Sequence, residues 1–497
     1  MNYDIPKEVK RIGKRLNEAG YDAHLVGGCV RDLLLGREPK DWDITTNAKP
    51  EEVQKLFSSF AGATEDKPAT VYENDFGTVG IKTESEDPRL KVVEVTTYRI
   101  EGKYTDKRHP DEIKFAKTVE EDLARRDFTI NALALDVVGK KSEIIDSFEG
   151  QDDLKDKIIR TVGNSEERFS EDALRLMRAV RFAVELDFQI EPSTRKAIEK
   201  LSGELEMIAK ERIRDEFIKI LNCPRAAQGI ILLEELNLLR NVIPELREGI
   251  NVGQNKHHIY TVFEHNVRAL DYTAKQNYST EVRLASLLHD VGKPKSKRGE
   301  GPDSTFYQHE YIGAKLATIS LDRLHFPKEF SEKVAHLVRY HMFYYNTDEV
   351  SAAGVRRFLA RVGPESVDEL LQVREADRIG SGVPKAFPYK LRHLLFMIDK
   401  VKRDPISPKM LAVRGDDVMK ILEVPPGPRV GWVLSVLLEE VLDEPKGNDK
   451  EKLEERVKEL GSMSDNDLKK LAEKAKNRKD EFEDGVEEEI KEKHHVK

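Results

Sequence analysis

Short apolar runs separated by turn residues fill the first part of the chain. AHLVGG and WDITT have the length and composition of short strands, with a helix predicted to begin near Cys29. FGTVGIKT and LKVVEVTTYR are rich in β-branched residues and bounded by turn residues, so they predict further strands. Residues 1–148 are therefore predicted to form a small domain of strands and helices.

The pattern becomes helical at about Asp153 and stays helical. In SEDALRLMRAVRFAVEL the apolar residues fall on one stripe of a predicted helix, for which Ser170 is the expected N-cap. This stripe consists of Ala173, Met177, Val180 and Val184. The final helix is predicted in EVPPGPRVGWVLSVLLEEVL, and beyond Gly461 the wealth of charged residues predicts a solvated helix or a frayed tail. The predicted fold class is α+β, a small N-terminal head of sheet and helices followed by all-α regions.

Composition narrows the class of protein. With 497 residues, the chain is too long for one hydrophobic core. No apolar run is long enough to span a membrane, and the N-terminal residues lack the apolar core of a signal peptide. Cys29 and Cys223 are the only cysteines, which argues against a disulfide framework and for a cytoplasmic protein. The net charge of −9 argues against general affinity for nucleic acid but leaves room for a local basic groove.

Two aspartates stand close together in DWDIT. Because side chains alternate along a strand, Asp41 and Asp43 should share one face and Trp42 the other. Neighbouring carboxylates repel unless a cation joins them, and Mg²⁺ is the oxygen-seeking ion that serves phosphoryl transfer. Glu94, which alternates with apolar residues in VVEVTT, is a candidate third carboxylate. The alternative is a solvated strand edge without a ligand.

A glycine pair lies a short distance before these aspartates. Gly27 and Gly28 would let a triphosphate approach the backbone closely, and Arg31 follows where the helix begins. Together with the two aspartates, this spacing favours nucleotide binding over a simple strand edge.

These residues carry a family resemblance. LVGGCVRDLLLGREPKDWDITTNA resembles the signature of class II tRNA nucleotidyltransferases, the CCA-adding enzymes of the polymerase-β superfamily. Five further blocks follow in that family's order: YRIEGKYTDKRHPDEIKF resembles its flexible loop, EEDLARRDFTINALALD its ribose-recognising block, DSFEGQDDLKDKIIRTVG its head-to-neck hinge, RFSEDALRLMRAVRFA its nucleobase-selecting helix, and ERIRDEFIKIL its last neck motif. The resemblance covers about residues 22–221. It implies a head, neck, body and tail, ATP and CTP as substrates, and the tRNA 3′ end as acceptor.

Within this resemblance, the predicted selecting helix carries polar residues opposite its apolar stripe. They are Asp172, Arg175, Arg178 and Arg181. A carboxylate only accepts hydrogen bonds and a guanidinium only donates them, so Asp172 and Arg175 together could read the Watson–Crick edge of cytosine or adenine and refuse guanine and uracil. The resemblance further implies that Arg126, with Asp127 beside it, contacts the sugar and triphosphate. The alternative is a set of helix-surface ion pairs, each contributing about 0–1 kcal/mol.

A helical stretch further along collects histidines and aspartates. The motifs FEHNV, LLHDVGKPK, YQHEY, RYHMF and READRIG contain His265, His289, Asp290, His309, His341 and Asp377. Imidazoles and carboxylates suit a divalent transition metal. The run resembles an HD phosphohydrolase domain, which some bacterial members of the family carry, and this implies phosphatase or 2′,3′-cyclic phosphodiesterase activity. Lys293 is then a candidate phosphate partner.

Some HD domains use fewer ligands. In those domains only His265, His289, Asp290 and Asp377 would bind metal. The neighbouring His257 and His258 are interpreted as surface residues.

The predicted organisation has five parts. They are a nucleotidyltransferase head (1–148), a helical neck and body with the selecting helix (149–250), an HD domain (251–385), a helical tRNA-binding tail (386–462) and a charged extension (463–497). The predicted function is template-free addition of C, C and A to the tRNA 3′ end, with Mg²⁺ in the head. The alternatives are a poly(A) polymerase, an enzyme that adds only A or only CC, and an HD phosphohydrolase with an RNA-binding head. The proline that usually follows the Glu-Asp pair in poly(A) polymerases is Ala173 here, and the apparently intact loop at Tyr104–Pro110 argues against CC-only addition.

Overall fold

The structure is a computed structural model, and it describes residues 3–58, 70–73, 77–102, 113–137, 143–255, 259–343, 352–382, 389–403, 411–443 and 447–475. The loop at Tyr104–Pro110, the histidines His257 and His258, and the last part of the charged extension lie outside these residues.

The strands of the described residues lie in the N-terminal half of the chain. They are β1 (His24–Val26), β2 (Asp43–Thr46), β3 (Thr70–Glu73), β4 (Thr78–Lys82), β5 (Val92–Thr97), β6 (Arg99–Glu101), β7 (Ile113–Phe115), β8 (Leu133–Asp136), β9 (Ile144–Asp146), β10 (Ile158–Ile159) and β11 (Gln189–Ile190). Seven of them form one sheet in the order β3-β4-β5-β2-β1-β8-β9. β2 and β5 are parallel, and the other neighbours in this sheet are antiparallel.

Helices occupy the rest of the described chain. In the head and neck they are α1 (Lys7–Glu18), α2 (Gly28–Leu34), α3 (Pro50–Phe57), α4 (Val119–Ala124), α5 (Gly150–Asp156), α6 (Ser165–Glu171), α7 (Leu174–Leu186), α8 (Pro192–Leu201), α9 (Lys210–Leu221), α10 (Ala226–Glu235), α11 (Leu239–Val242) and α12 (Pro244–Arg247). The later ones are α13 (Val262–Lys275), α14 (Thr280–Leu288), α15 (Lys293–Ser296), α16 (His309–Arg323), α17 (Lys328–Tyr340), α18 (Ala352–Val362), α19 (Val367–Gly380), α20 (Tyr389–Arg403), α21 (Gly415–Leu422), α22 (Pro428–Asp443) and α23 (Lys450–Gly461). An N-terminal sheet followed by helices confirms the predicted α+β class.

The chain divides into two compact units. One contains residues 1–341 and 369–383, and the other contains residues 342–368 and 384–497. The first unit includes the sheet and α1–α17, and its sheet core contains Leu25, Ile44 and Val95, all fully buried. Among the described residues, no helix has the length and apolar character needed to cross a membrane.

The end of the chain differs from the prediction. α22 is not the final helix, because α23 follows it and residues 465–475 are also helical. Leu468 is fully buried and Ala472 is nearly so, in a core shared with Val433 and Val457. Residues 465–475 therefore form a helix, one of the two alternatives predicted beyond Gly461, but the helix is not solvated on all sides, because apolar residues four apart give it a buried face.

The selecting helix also differs from the prediction. It is broken: α6 ends at Glu171, Asp172 is extended with φ −142° and ψ 103°, and α7 begins at Leu174. Ser170 therefore lies inside α6 and does not cap the helix. Asp172 Oδ1 accepts a hydrogen bond from the backbone N–H of Leu174 at 3.0 Å, a local bond that competes with helix continuation. The four residues of the predicted apolar stripe are buried as expected.

Candidate active sites

The Gly27–Gly28 turn connects β1 to α2. Gly27 has φ +74°, in the left-handed region that favours glycine. A Cβ on Gly27 would lie 2.7 Å from Nη1 of Arg126, so a side chain there would displace the guanidinium. At Gly28 the same position lies 3.8 Å from Asp41 Oδ1 and 3.7 Å from Arg31 Nη2. The glycine turn, Asp41, Arg31 and Arg126, all selected in the sequence analysis, therefore lie together.

The carboxylates of the head lie on β2, on β5 and before β2. Asp43 pairs in register with Glu94 across the parallel strands, so both side chains project from the same face. β2 begins at Asp43, so Asp41 lies in the bend before the strand and not on it, which corrects that part of the prediction. Burial raises the pKa of Asp43 to about 7, Asp41 and Glu94 add to the shift, and Arg126 opposes it. A cation would relieve this repulsion, so the three carboxylates suit Mg²⁺.

Arg31 is fixed by partners inside the protein. Its Nε donates to Asp32 Oδ1 at 2.9 Å, and its Nη1 donates to Asn131 Oδ1 at 2.9 Å. The guanidinium also lies 5.3 Å from the centre of the Phe182 ring on α7. These contacts hold a buried positive charge beside the glycine turn.

Arg126 has capacity left for a ligand. Its Nη2 lies 3.5 Å from Oδ2 of the fully buried Asp122, whose other oxygen accepts from Arg125 Nε at 2.9 Å. Burial would raise the pKa of Asp122, but Arg125 and Arg126 outweigh it, so the pKa is lowered. Among the described residues, the buried Nε of Arg126 has no hydrogen-bond partner. An anionic group such as a phosphate would suit this position.

Asp127 joins the head to α7. Its Oδ2 accepts from Arg178 Nε at 2.7 Å, and its Oδ1 accepts from Asn131 Nδ2 at 3.2 Å. Burial raises the pKa of Asp127, but Arg178 and Arg175 outweigh this effect and lower it to about 2. Arg178 was predicted to contact the nucleotide, but in the structure its guanidinium already pairs with the buried carboxylate of Asp127.

Asp172 pairs with a residue that the sequence reasoning missed. Arg212 on α9 donates from Nη2 to Asp172 Oδ2 at 2.7 Å and from Nη1 to Oδ1 at 3.3 Å. A carboxylate offers about four acceptor positions, so Asp172 can still accept a hydrogen bond from a nucleobase amine. The signal for Arg212 was its place in ERIRDEFIKIL, which the sequence analysis identified as a neck motif.

Arg175 is held next to the break between α6 and α7. Its Nη1 donates to the Glu171 carboxylate and, at 3.0 Å, to the carbonyl oxygen of Arg168. Its Nη2 lies 3.4 Å from the carbonyl oxygen of Arg125 in the head. Asp172 and Arg175 are thus separately oriented by neighbours.

Arg181 lies one turn beyond Arg178 on α7. Its Nε is 3.1 Å from Glu216 Oε2, and both side chains are largely buried. Burial lowers the pKa of Arg181, and Glu216 opposes the shift. Its guanidinium lies 4.3 Å from the Phe182 ring centre, and Arg178 lies 5.2 Å from the same ring. Three of the predicted nucleotide-binding arginines therefore lie around the Phe182 ring: Arg31, Arg178 and Arg181.

The histidines and aspartates of the second site converge as the sequence predicted. In the described part of the chain, two overlapping sets of residues place potential metal-ligand atoms within 4.8 Å of one another. One set is His265, His289, Asp290 and Asp377, and the other is Asp290, His309 and His341. All these residues are buried.

Asp290 belongs to both sets through different oxygens. Its Oδ2 lies 3.1 Å from His265 Nε2 and 3.4 Å from His289 Nε2. Its Oδ1 lies 3.3 Å from His309 Nε2 and 3.6 Å from His341 Nε2. The six residues therefore form two neighbouring ligand sets that share one carboxylate.

The imidazoles are oriented for metal binding. Nδ1 of His289, His309 and His341 each lies 2.7 Å from a backbone carbonyl oxygen, which places the N–H on Nδ1 and leaves Nε2 as the ligand. Within the described residues, Nε2 of His309 and Nε2 of His341 have no hydrogen-bond partner although both are buried. Burial lowers the pKa of His289, but Asp290 and Asp377 outweigh it and raise the pKa to about 10. The carboxylates thus favour a positive charge beside His289, and the buried Nε2 atoms of His309 and His341, without partners among the described residues, fit a metal.

Lys293 extends this site. Its Nζ lies 2.5 Å from Asp290 Oδ2 and donates to Gln254 Oε1 at 2.6 Å. Gln254 is a buried residue that the sequence reasoning missed, and it lies in a loop without a helix or strand pattern. The buried ammonium beside the ligands suits a phosphate group.

Three family models match successive parts of the chain. The poly A polymerase head domain matches residues 23–160, the probable RNA and SrmB-binding site of polymerase A matches residues 187–250, and the HD domain matches residues 262–381. The last segment is called the HD region below.

Several characterised proteins are similar to this chain. The A-adding tRNA nucleotidyltransferase of Deinococcus radiodurans is 35% identical over 432 residues, which cover 84% of this chain and 91% of the relative. The CCA-adding enzyme of Enterococcus faecalis is 32% identical over 88% of this chain and 93% of its own length. The CCA-adding enzyme of Ligilactobacillus salivarius is 48% identical, but over only 46% of this chain and 53% of its own length.

Solved structures agree with these matches. The crystal structure of the Bacillus stearothermophilus CCA-adding enzyme in complex with CTP has 30% sequence identity and a TM-score of 0.58, over 91% of this chain and 96% of that one. Because relatives above 30% identity match over more than nine-tenths of their own length, this chain belongs to the family of tRNA nucleotidyltransferases, with a poly A polymerase head domain and an HD domain.

Proposed function

We propose that this chain adds C, C and A to the 3′ end of tRNA without a nucleic-acid template, using CTP and ATP. The observation that carries the proposal is the position of Asp43 opposite Glu94, with Asp41 and Arg126 beside the Gly27–Gly28 turn. Carboxylates for a cation and a close-approach backbone turn for phosphate are the two requirements of nucleotidyl transfer. Relatives named CCA-adding enzymes support this choice of reaction.

The head residues divide the work. Asp41, Asp43 and Glu94 would hold Mg²⁺, which would supply neutralisation of phosphate charge. In the reaction, the oxygen of the tRNA 3′ hydroxyl forms a bond to the α-phosphate of the nucleotide, its proton is released, and the bond to the β-phosphate breaks so that pyrophosphate leaves. Arg126, with its unpartnered Nε in the described structure, would bind the triphosphate, and Arg31 would add positive charge next to the turn. These groups contact phosphate and sugar, so they act on any nucleotide.

The choice of base is assigned to the neck. Asp172 would accept from the exocyclic amine of cytosine or adenine, and Arg175 would donate to the ring nitrogen. The Arg212 and Glu171 contacts orient these two groups before a nucleotide arrives. Arg178 and Arg181 would hold the wall of the pocket through Asp127 and Glu216, since each already pairs with a buried carboxylate.

The HD region is proposed to be a phosphohydrolase with divalent transition metals. His265, His289 and Asp377 would hold one ion, His309 and His341 a second, with Asp290 shared between them. A metal centre of this kind supplies an activated water for phosphatase or 2′,3′-cyclic phosphodiesterase chemistry. Lys293 would neutralise the phosphate.

The proposed partner is the acceptor end of tRNA, bound by the head, the neck and a tail within residues 386–462. We propose that the protein acts in the cytoplasm. The buried Cys29 and Cys223, which are both free thiols, are consistent with a reducing compartment.

Addition of A alone is the second candidate, because the Deinococcus relative that matches most of this chain is an A-adding enzyme. The two are separated by supplying labelled CTP and ATP, singly and together, to tRNA transcripts that end before CCA or after CC. A CCA-adding enzyme extends both transcripts, whereas an A-adding enzyme extends only the one that ends in CC. Long A tails would instead indicate a poly(A) polymerase. Absence of any addition would contradict the proposal.

A further inference from the structure

The HD region holds one end of the neck helix α9. Arg283 on α14 donates from Nη1 to the carbonyl oxygens of Leu221 at 2.9 Å and Cys223 at 3.4 Å. Leu221 is the last residue of α9, so its carbonyl is one of those that a helix end leaves without a partner within the helix. Cys223 lies just beyond the helix, and its carbonyl also accepts from the backbone N–H of Ala226 at 3.2 Å. Arg283 is only 3% exposed, and its other donors bind the carbonyl of Tyr278 at 2.9 Å and Asn277 Oδ1 at 3.0 Å. The guanidinium is therefore fixed in the HD region while it caps α9.

The HD region also holds the opposite end of α9. His325, in the turn after α16, forms a 2.7 Å hydrogen bond between its Nδ1 and Glu211 Oε1. Arg214 donates from Nη1 to the backbone carbonyl oxygen of the same His325. Contacts at both ends restrict both the position and the rotation of α9.

Between these ends, α9 carries the residues that reach the nucleotide-selecting segment. Arg212 forms the two hydrogen bonds to Asp172, and Glu216 lies against Arg181. A shift of α9 would therefore move the partner of Asp172, and a displacement of about 1 Å is enough to impair a reading pair.

We propose that Arg283 and His325 are positioning residues for nucleotide selection, acting through α9 on Arg212 and Asp172. The HD region then supports the choice of nucleotide in addition to any hydrolysis of its own. This inference rests on the proposed function, in which Asp172 reads the base.

Arg283→Met in the full-length protein tests the proposal. With tRNA transcripts as acceptors, kcat and KM would be measured for CTP, ATP, UTP and GTP. The preference for C and A over U and G should fall by about 2- to 30-fold, the range expected when a mutation acts on a site through other residues. KM for CTP and ATP should rise more than kcat falls, since a loosened reading pair weakens binding of the correct base.

Arg323→Met is the matched control. Arg323 also joins the HD region to the neck and body, with two hydrogen bonds of 2.8 and 2.6 Å to Glu245, but this contact reaches α12 and not α9. The preference for C and A should stay at the wild-type value in this variant. An equal loss of preference in Arg323→Met would overturn the proposal, because general loosening of the HD region would then account for the effect.

His325→Gly serves if Arg283→Met does not fold. The His325 side chain is 58% exposed, and the residue has φ +54°, so glycine suits its backbone. Asp172→Ala is measured in parallel. If Asp172→Ala loses preference while the folded Arg283 or His325 variant keeps it, the positioning role is wrong and base reading by Asp172 stands. If Asp172→Ala itself keeps the preference, base reading fails, and the positioning role fails with it.

Discussion

Asp43 and Glu94 are register partners across the parallel strands β2 and β5. Neighbouring strands are about 5 Å apart, so the two carboxylates repel unless a cation lies between them. Burial together with Asp41 and Glu94 raises the pKa of Asp43 to about 7, which shows how far the arrangement depends on a positive partner. The relationship yields two predictions, one on catalysis and one on stability.

Asp41→Asn and Asp43→Asn should each abolish nucleotide addition. Each variant keeps the size of the side chain but removes a metal-binding charge, so the rate should fall by about 10³-fold or more, equivalent to about 4 kcal/mol in the barrier. Single-turnover addition of CMP to tRNA measures this effect. The metal content and hydrolytic activity of the HD region should be unchanged, because the candidate metal ligands of that region do not include Asp41 or Asp43. Addition within tenfold of wild type would show that these carboxylates do not carry the reaction.

Asp43→Asn should also stabilise the metal-free protein at pH 8. Because the pKa of Asp43 in the folded state is raised to about 7, the folded protein binds a proton more tightly than the unfolded chain. Stability is therefore lost as the pH rises from about 4 to about 7, and it stays low above that range. Removing the charge should recover about 1–3 kcal/mol at pH 8 and almost nothing at pH 4.

Thermal unfolding in EDTA at both pH values measures this difference. Glu94→Gln is the matched variant, since it removes one of the charges that repel Asp43, and it should show a smaller gain in the same direction. A lower unfolding temperature for Asp43→Asn at pH 8 would mean that Asp43 is held by partners that stabilise its charge.

The sequence predicted much of the head but could not predict its pairings. Alternation along VVEVTT was enough to place Glu94 on one face of a strand. Its position opposite Asp43 depends on β5 joining β2 in parallel, a non-local pairing that local patterns do not contain. The prediction that Asp41 lies on the strand was wrong. The alternating pattern in the sequence begins before Asp43, but strand pairing begins only at Asp43.

The break at Asp172 was hidden for a related reason. Ala173 lies just before the first residue of α7, and Met177 lies within α7. Both are apolar and buried, and their spacing of four residues is that of one continuous helix, so periodicity alone predicted no break. In the structure, the extended backbone of Asp172 and the local hydrogen bond from the Leu174 N–H to Asp172 Oδ1 mark the break. The Asp172–Arg212 contact then requires the packing of α7 against α9, which no spacing within either segment reveals.

The candidate metal ligands were easier to predict than their arrangement. Their order along the chain is visible in motifs such as LLHDVGKPK. That Asp290 uses one oxygen toward His265 and the other toward His309 depends on how α13, α14 and α16 pack. The buried face of residues 465–475 could have been predicted from the four-residue spacing of Leu468 and Ala472. The many charged residues around them led instead to the prediction of a solvated segment.

The HD region should bind two metal ions per chain. His309→Ala should remove one of them and leave the other, because His309 belongs to the set that contains Asp290 and His341. Asp290→Ala should remove both, since its two oxygens serve both sets. Elemental analysis of the purified variants, after loading with a transition metal and desalting, counts the ions directly.

Nucleotide addition serves as the control for these variants, and in His309→Ala it should continue. The pH dependence of metal binding is a further test, because protons and metal compete for His289. Its carboxylate neighbours raise the pKa of His289 to about 10 in the absence of metal. Metal binding must therefore release a proton, and affinity should rise with pH between 6 and 8. Equal metal content in wild type and Asp290→Ala would mean that the histidines are structural.

Replacing both Asp172 and Arg175 with alanine should change which nucleotide is added, and not only how fast. The double variant removes the acceptor and the donor that would face the base, while the Gly27–Gly28 turn and the phosphate-binding groups stay in place. A polar group left unpaired in such a pocket costs about 1–3 kcal/mol, so discrimination against UTP and GTP should fall by roughly ten- to a hundredfold. Single-nucleotide addition kinetics with all four triphosphates measure this ratio. Lys200→Ala is a suitable control, because it removes an exposed ion pair to Glu166 on the neighbouring helix α6 and should leave the ratio unchanged. Uniformly slower addition, with the preference for C and A intact, would show that Asp172 and Arg175 support the neck through Arg212 and Glu171 and do not read the base.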